Sequence, residues 1–294
     1  MSIKTEFNKG LLLTSLGSFW WGFIGVIYFE YVSFIGHIEL VVHRCLWTAM
    51  MLIITTTFLS KWNLFHTIAL NKFHLFYLFL SGLLIFINWS VWIYAVASDR
   101  IIDASFGYFI MPIISVLLGY IFFKEKLNKK RIFSIILVVI SILILIFFSI
   151  KSLPWVGLIV AFSWAFYNLV RKKINVDTDV GLLVESLFIF PFALVAFYII
   201  SKNGFNDFNL SNPGFSLFLI LAGPMTVIPL FLYVRGVELI GLGPTGMIFY
   251  ITPTLQFILG YFYYNEEFSL VKFVSFIIIW IAVIIYLKDL YETN

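Results

Sequence analysis

Apolar residues in this chain fall in long runs rather than in stripes along one helix face. Ten runs can be marked off, at residues 10–29, 38–59, 74–96, 103–123, 130–149, 153–170, 181–200, 215–236, 243–263 and 270–288. Each approaches or exceeds the roughly 20 residues that a helix needs to cross a hydrocarbon core about 30 Å thick. The links are short. The most loop-like is 201–214, SKNGFNDFNLSNPG, rich in Asn, Gly and Pro. The pattern predicts an all-α polytopic membrane protein with ten transmembrane helices and no room for a separate soluble domain.

Composition strengthens that reading. The chain is 62% hydrophobic and 12% charged, with a mean hydropathy of +1.03. Soluble domains carry roughly 25% charge, so lipid is the solvent for much of this surface. The net charge of +4 is small and builds no basic face of the kind nucleic acid requires. Cys45 is the only cysteine and makes no internal disulfide. The first run lacks a small-residue cleavage site and nine more follow it, so no removable leader is expected.

The runs also repeat. Residues 104–127, ASFGYFIMPIISVLLGYIFFKEKL, return in altered form at 245–268, TGMIFYITPTLQFILGYFYYNEEF, at a constant offset of 141. Pro112 falls on Pro253, Leu118-Gly119-Tyr120 on Leu259-Gly260-Tyr261, and Glu125 on Glu266. Trp20-Trp21-Gly22 in the first run resembles Ser163-Trp164-Ala165 in the sixth, and Glu39 has a counterpart in Glu185. The expected division is 1–150 and 151–294, five helices each. The charges after the two copies differ: Lys124, Lys126, Lys129, Lys130 and Arg131 follow the first, but only Lys272 holds a matching place after the second. Lys and Arg mark the cytoplasmic side, so the halves are expected to be inverted. With the N-terminus inside, thirteen Lys and Arg fall on inner links and four on outer ones. Both termini are thus expected in the cytoplasm. Pro112 and Pro253 are expected to break or hinge their helices.

Ten runs, inverted halves and several phrases together resemble the drug/metabolite transporter superfamily, and within it the EamA family, RarD-type branch. The phrases are IELVVHRCLW (38–47), NWSVWIYAV (88–96), DASFGYFIMPIISVLLGYIFFKEKL (103–127), AFSWAFYNLVRKK (161–173), LLVESLFIFP (182–191) and GPTGMIFYITP (243–253). The resemblance runs nearly the whole length. It implies a permease of the bacterial inner membrane, with export the commoner direction. It also implies that helices 5 and 10 sit at the periphery or support a homodimer. Two departures stand out: Met111 replaces an Asn before the first proline, and Phe249-Tyr250 replaces Gln-Tyr before the second. Both point to a more apolar or otherwise different substrate.

Ionisable groups inside a membrane cost about 2.5–3.5 kcal/mol or more, so each needs a reason. Glu39 and His43 are four apart and share a helix face; Arg44 is turned about 100° from His43. The three read as an outer site for an anionic substrate or for proton coupling, or equally as an ion pair between helices. Glu185 and Arg235 read as a second pair, for coupling or for stapling, with Arg235 also able to snorkel. Asn88 and Trp89 lie at mid-helix depth, where transporter sites gather, though an interhelical hydrogen bond explains an Asn there as well. Tyr108 and Tyr250, close to the two prolines, are expected to line an aromatic cavity.

Zinc, P-loop and hydrolase motifs are absent, so neither enzyme chemistry nor a metal or cofactor is expected. The expected activity is alternating-access secondary transport of a small organic metabolite or drug, with proton coupling through Glu39, His43 or Glu185. Arg44 and Arg235 lean towards an anionic or amphipathic substrate. A passive facilitator and a non-transporting scaffold remain as alternatives.

Overall fold

The computed structural model describes residues 3–32, 34–97, 101–149, 155–209, 211, 213–263 and 269–293. Arg100, Lys151, Glu266 and Glu267 fall outside them. Every regular element among the described residues is a helix. The chain runs through α1 (Ile3–Phe19), a π-helical turn (Trp20–Ile24) and α2 (Gly25–Tyr31). It continues through α3 (His37–Phe58), α4 (Trp62–Leu70), α5 (Lys72–Ala97), α6 (Ile101–Phe123) and α7 (Lys129–Ser149). Then follow α8 (Trp155–Ile174), α9 (Thr178–Lys202), α10 (Pro213–Ile220), α11 (Ala222–Ile240), α12 (Leu242–Ile248), α13 (Ile251–Phe262) and α14 (Leu270–Thr293).

Seven stretches are long and apolar enough to cross a membrane: Lys4–Tyr31, His37–Phe58, Lys72–Ala95, Lys129–Phe148, Thr178–Lys202, Pro213–Ile240 and Leu270–Thr293. Gly107–Phe123 is a shorter apolar helix. The three expected spans not among the seven fall on α6, α8 and α12–α13. Helix α8 is buried around much of its circumference and carries polar and aromatic groups that neighbouring helices cover. The α12–α13 segment is interrupted, which leaves each piece short.

Local chemistry sets the boundaries. Asn71 accepts hydrogen bonds from Phe73 N and His74 N at the start of α5. Asn128 accepts from Arg131 N at the start of α7, and Asp177 from Val180 N at the start of α9. Short polar side chains here satisfy backbone donors that have no partner within the helix. The π-turn is a wider coil that loosens the backbone ladder, and Thr252 Oγ1 donates to Ser18 O beside it. Gly22 lies in that turn, where a side chain would meet the Thr252 backbone.

The prolines behave differently from expectation. Helix α6 continues through Pro112 without interruption. A proline there removes only one donor, and Tyr250 Oη donates to the carbonyl of Phe109 nearby, at 2.8 Å. The second segment does break, but at Phe249–Tyr250, between α12 and α13. Pro253 then sits in the first turn of α13, where a proline is tolerated. Helix α4 was not expected. It is a short amphipathic helix that buries Ile68 against Leu78, Val180 and Val184 and leaves Leu70 exposed.

Helix packing brings distant parts of the chain together. Helix α1 lies on α11 and α5 on α8; α3 lies on α9 and α11, and α9 on α5; α7 lies on α14; and α6 lies on α12 and α13. The largest core cluster joins α3, α5, α6, α8, α9 and α11 around Trp89, Trp164, Leu183 and Tyr233. A second joins α6, α7, α12 and α14 around Val116, Val138, Tyr250 and Ile279. Large apolar side chains face outward, among them Phe147, Phe192 and Phe262, as a surface in contact with lipid requires.

Candidate functional site

The end of the bundle at which α3 starts is called the upper end, and the other the lower end. Between α3, α5, α9 and α11 lies a cavity lined by Cys45, Thr48, Trp89, Glu185, Ser186 and Val227, among others. Its volume is about 10 Å³, close to the room one water needs. Its walls are mainly apolar, with Glu185 the one charged group in them among the described residues. No organic solute fits in this conformation.

Arg44 lies beside the cavity on α3 and is 6% exposed. Its guanidinium carbon stands over two aromatic rings, Phe29 at 4.9 Å and Trp89 at 4.7 Å. Its Nε donates to Thr226 Oγ1 at 3.2 Å. Cation–π contacts with desolvated rings hold such a charge at about 1–2 kcal/mol each.

Glu39 and His43 point elsewhere. Glu39 Oε1 accepts from Asp207 N at 2.8 Å, so it holds down the segment between α9 and α10. His43 Nε2 is 3.5 Å from the same oxygen. His43 Nδ1 accepts from Trp47 Nε1 at 3.1 Å. Because Nδ1 is an acceptor there, the imidazole is neutral and its proton sits on Nε2, facing Glu39. Phe208 packs on both His43 and Trp47. These contacts tie the start of α3 to the segment after α9 at the upper end.

Glu185 corrects the expected pairing. Its partner is Arg171 on α8, with Nη1 at 3.3 Å, not Arg235. Ser81 Oγ and Tyr167 Oη also donate to its carboxylate. Arg171 is 1% exposed, and its Nη2 donates to Thr178 O. Gly181, one turn before Glu185, makes room: any side chain there would overlap the guanidinium. Arg235 is 43% exposed and pairs with Glu238 at 2.7 Å. It belongs to the lower surface and not to the cavity, because its long side chain reaches the end of α11.

The lower end carries a different set of polar contacts. Lys61 Nζ bonds Asp177 at 3.1 Å and Asp179 at 2.7 Å, joining the link after α3 to the start of α9. Thr178 Oγ1 donates to both carboxylate oxygens of Glu238.

The remaining expected residues divide. Asn88 Nδ2 donates to Val160 O and to Ser163 Oγ, so its amide ties α5 to α8. Tyr108 meets Phe249 at 5.7 Å between ring centroids. Phe249 belongs to an aromatic cluster with Trp21, Trp164 and Tyr233, in which Trp21 and Trp164 meet edge-on at 5.1 Å. Tyr250 does not join them. It faces the core cluster of α7 and α14, because adjacent helical residues point about 100° apart.

Sequence reasoning missed Arg171, Lys61, Asp177, Asp179, Phe29 and Thr226 as parts of these groupings. The glycine one turn ahead of a membrane glutamate was the available signal for a bulky partner to Glu185.

The sequence pattern of the EamA-like transporter family matches residues 8–147 and, a second time, 152–288. The chain belongs to the EamA-like transporter family. Among its EamA relatives, Protein RarD of Escherichia coli (strain K12) is 32% identical, over 98% of this chain and 96% of its own. Protein RarD of Salmonella typhi is 33% identical, over 98% and 97%. Uncharacterized transporter YojE of Bacillus subtilis (strain 168) is 32% identical, over 96% and 94%. A solved crystal structure superposes with a TM-score of 0.71 at 11% identity, covering 96% of this chain and 98% of that one, and so shares its fold. This EamA chain is a multi-pass protein of the bacterial inner membrane. The names carried by the family and by YojE are those of transporters, not of enzymes.

Proposed function

We propose that the chain is a secondary transporter that exports small organic solutes by alternating access. Its ten spans form two inverted halves, 1–150 and 151–294, and both termini lie in the cytoplasm. The upper end is then periplasmic and the lower end cytoplasmic. One observation carries the reading. A cavity too small for any solute lies between helices of both halves and has a separate polar clasp at each end. A transporter passing between inward-open and outward-open forms needs a state in which its solute space is narrow, with ends that release by turns.

The packing supports the two halves. If spans one to five exchange with six to ten, α1 on α11 becomes α8 on α5, and α3 on α11 becomes α9 on α5. Repeat-related residues also meet their own counterparts: Trp21 with Trp164, Tyr108 with Phe249, and α7 with α14. The two family matches divide the chain at the same place. Within this frame Glu185, a carboxylate that lines the cavity beside Arg171, is the residue assigned to proton coupling. Glu39 and His43 are assigned to the outer clasp.

Native Cys45 lines the cavity and reports access without knowledge of the solute. Lys61→Glu removes the lower clasp and Glu39→Ala the upper one. A membrane-impermeant thiosulfonate is then applied to right-side-out and inside-out vesicles. Labelling of Cys45 from the cytoplasmic side in the first variant, and from the periplasmic side in the second, is the expected result. Labelling from both sides in both variants would mean a passive pore.

A further inference from the structure

Of the four described arginines, three face a carboxylate: Arg131 faces Asp289 at 2.8 Å, Arg171 faces Glu185, and Arg235 faces Glu238. Arg44 is the fourth. No described carboxylate lies within ion-pair distance of it, although only 6% of its surface is exposed. Buried charges are ordinarily paired, because an isolated one loses its hydration for nothing. Among the described residues its one hydrogen bond is from Nε to Thr226. The two Nη groups therefore have no acceptor among the described residues. Together they form the fork that binds a carboxylate through two parallel hydrogen bonds.

We infer that Arg44 anchors the carboxylate of the transported solute, and that the solute is a small organic acid with an apolar or aromatic body. This deepens the transporter reading above and rests on it. The surroundings select the rest of the molecule. The rings of Phe29 and Trp89 fix the guanidinium and supply apolar surface. The Trp89 ring and Val227, next to Thr226, also line the cavity, so once the cavity widens a carboxylate at Arg44 directs its apolar body there. The only charged group among the described residues of the cavity wall, Glu185, is already matched by Arg171. The unmatched charge is thus a single positive one, which fits a monoanion.

The purified protein in a neutral detergent is melted with benzoate, 3-phenylpropanoate, indole-3-acetate and octanoate, each beside its own amide. At least one acid is expected to raise Tm with concentration while its amide does not. Arg44→Gln abolishes the shift. Arg44→Lys, which keeps the charge but loses the fork, weakens binding about tenfold. Should Arg44→Gln fail to fold, Thr226→Val removes the bond that orients the guanidinium and is expected to weaken binding several-fold. No acid shifting the wild type, acid and amide shifting it alike, or Arg44→Gln keeping the shift would overturn the assignment. Stabilisation by phosphatidylglycerol vesicles but by none of the acids would also overturn it, making Arg44 a lipid site. Counterflow in proteoliposomes separates the two readings. Binding that depends on Arg44 without counterflow sinks transport and leaves the anion site. Counterflow of neutral solutes indifferent to Arg44 does the reverse.

Discussion

The carboxylate of Glu125, just past the end of α6, accepts the backbone N–H of Leu242 at 2.8 Å. It takes Gly243 N as well, at 2.9 Å, and pairs with Lys172 at 3.1 Å. One acidic side chain thus caps the start of α12, a helix 117 positions further along. A negative charge there also meets the positive end of the helix dipole. Gly119 gives the carboxylate its space, since a methyl group there would lie 2.5 Å from Oε2.

Glu125→Ala is therefore expected to lower stability by about 1–3 kcal/mol, the cost of leaving buried backbone donors unmet. Gly119→Ala should displace the same carboxylate and lose a similar amount. Since both act on one group, the double variant should lose little more than either alone. Thermal unfolding of the purified variants checks this, and full additivity would separate the glycine from the cap.

The Lys61 clasp has a pH signature. For Asp177, burial works against the charged form, but the hydrogen bond with Asp179 and the Lys61 ammonium outweigh it and hold the carboxyl below its usual range. For Lys61, burial works downward and the hydrogen bonds to Asp179 and Asp177 outweigh it, so the ammonium is held above its usual range. A depressed acid contributes stability above its unfolded value and loses it as pH falls through the folded one. A raised base contributes below its unfolded value and loses it as pH climbs through the folded one. Asp179 lies 2.7 Å from the same ammonium and is hydrogen-bonded with Asp177, so the two acids titrate together. The Tm gap between wild type and Lys61→Gln should therefore be flat from about pH 6 to about pH 10 and shrink beyond either limit. A gap that varies within that range would assign the stabilisation to other groups.

Removing one member of the Glu185–Arg171 pair strands a charge in the bundle. Arg171→Met alone is expected to cost about 3–5 kcal/mol, and most of it should return in Arg171→Met with Glu185→Leu. A double-mutant cycle on unfolding free energies measures the coupling. Near-zero coupling would make the two sites independent.

Glu39→Ala should free the segment that follows α9. Losing a hydrogen bond to a charged acceptor is worth about 1.5–3 kcal/mol, so amide exchange at Asp207 should speed up about 10- to 100-fold. Hydrogen exchange resolved to the 203–211 peptide is the readout, with the α5 amides as an unchanged reference.

How much of this could be read from the sequence depended on the kind of signal. Arg44 and Glu185 stood out because a charge in lipid demands a reason. Arg171 did not, because it begins an Arg-Lys-Lys run that topology counting assigns to the cytoplasmic surface. The partner of Glu185 could not be named because helix periodicity gives a face and not its neighbour. Glu125 was visible as an acid past a helix end, but the backbone donors it takes leave no mark in composition. The offset of 141 held more than was drawn from it. It aligns Tyr108 with Phe249 and Phe109 with Tyr250, which places the first pair on one face and the second on another. Tyr250 accordingly touches Phe109 and not the central aromatic cluster.

Helix α3 carries Glu39 near its start, and Lys61 follows closely after its end. Both residues are tied to the chain on either side of α9. The 22 residues of α3 make a rod about 33 Å long, fastened at two points to the same neighbouring helix. On the alternating-access reading proposed above, a stiff rod fastened this way has a fulcrum at each end, and the release of one fastening lets it swing about the other.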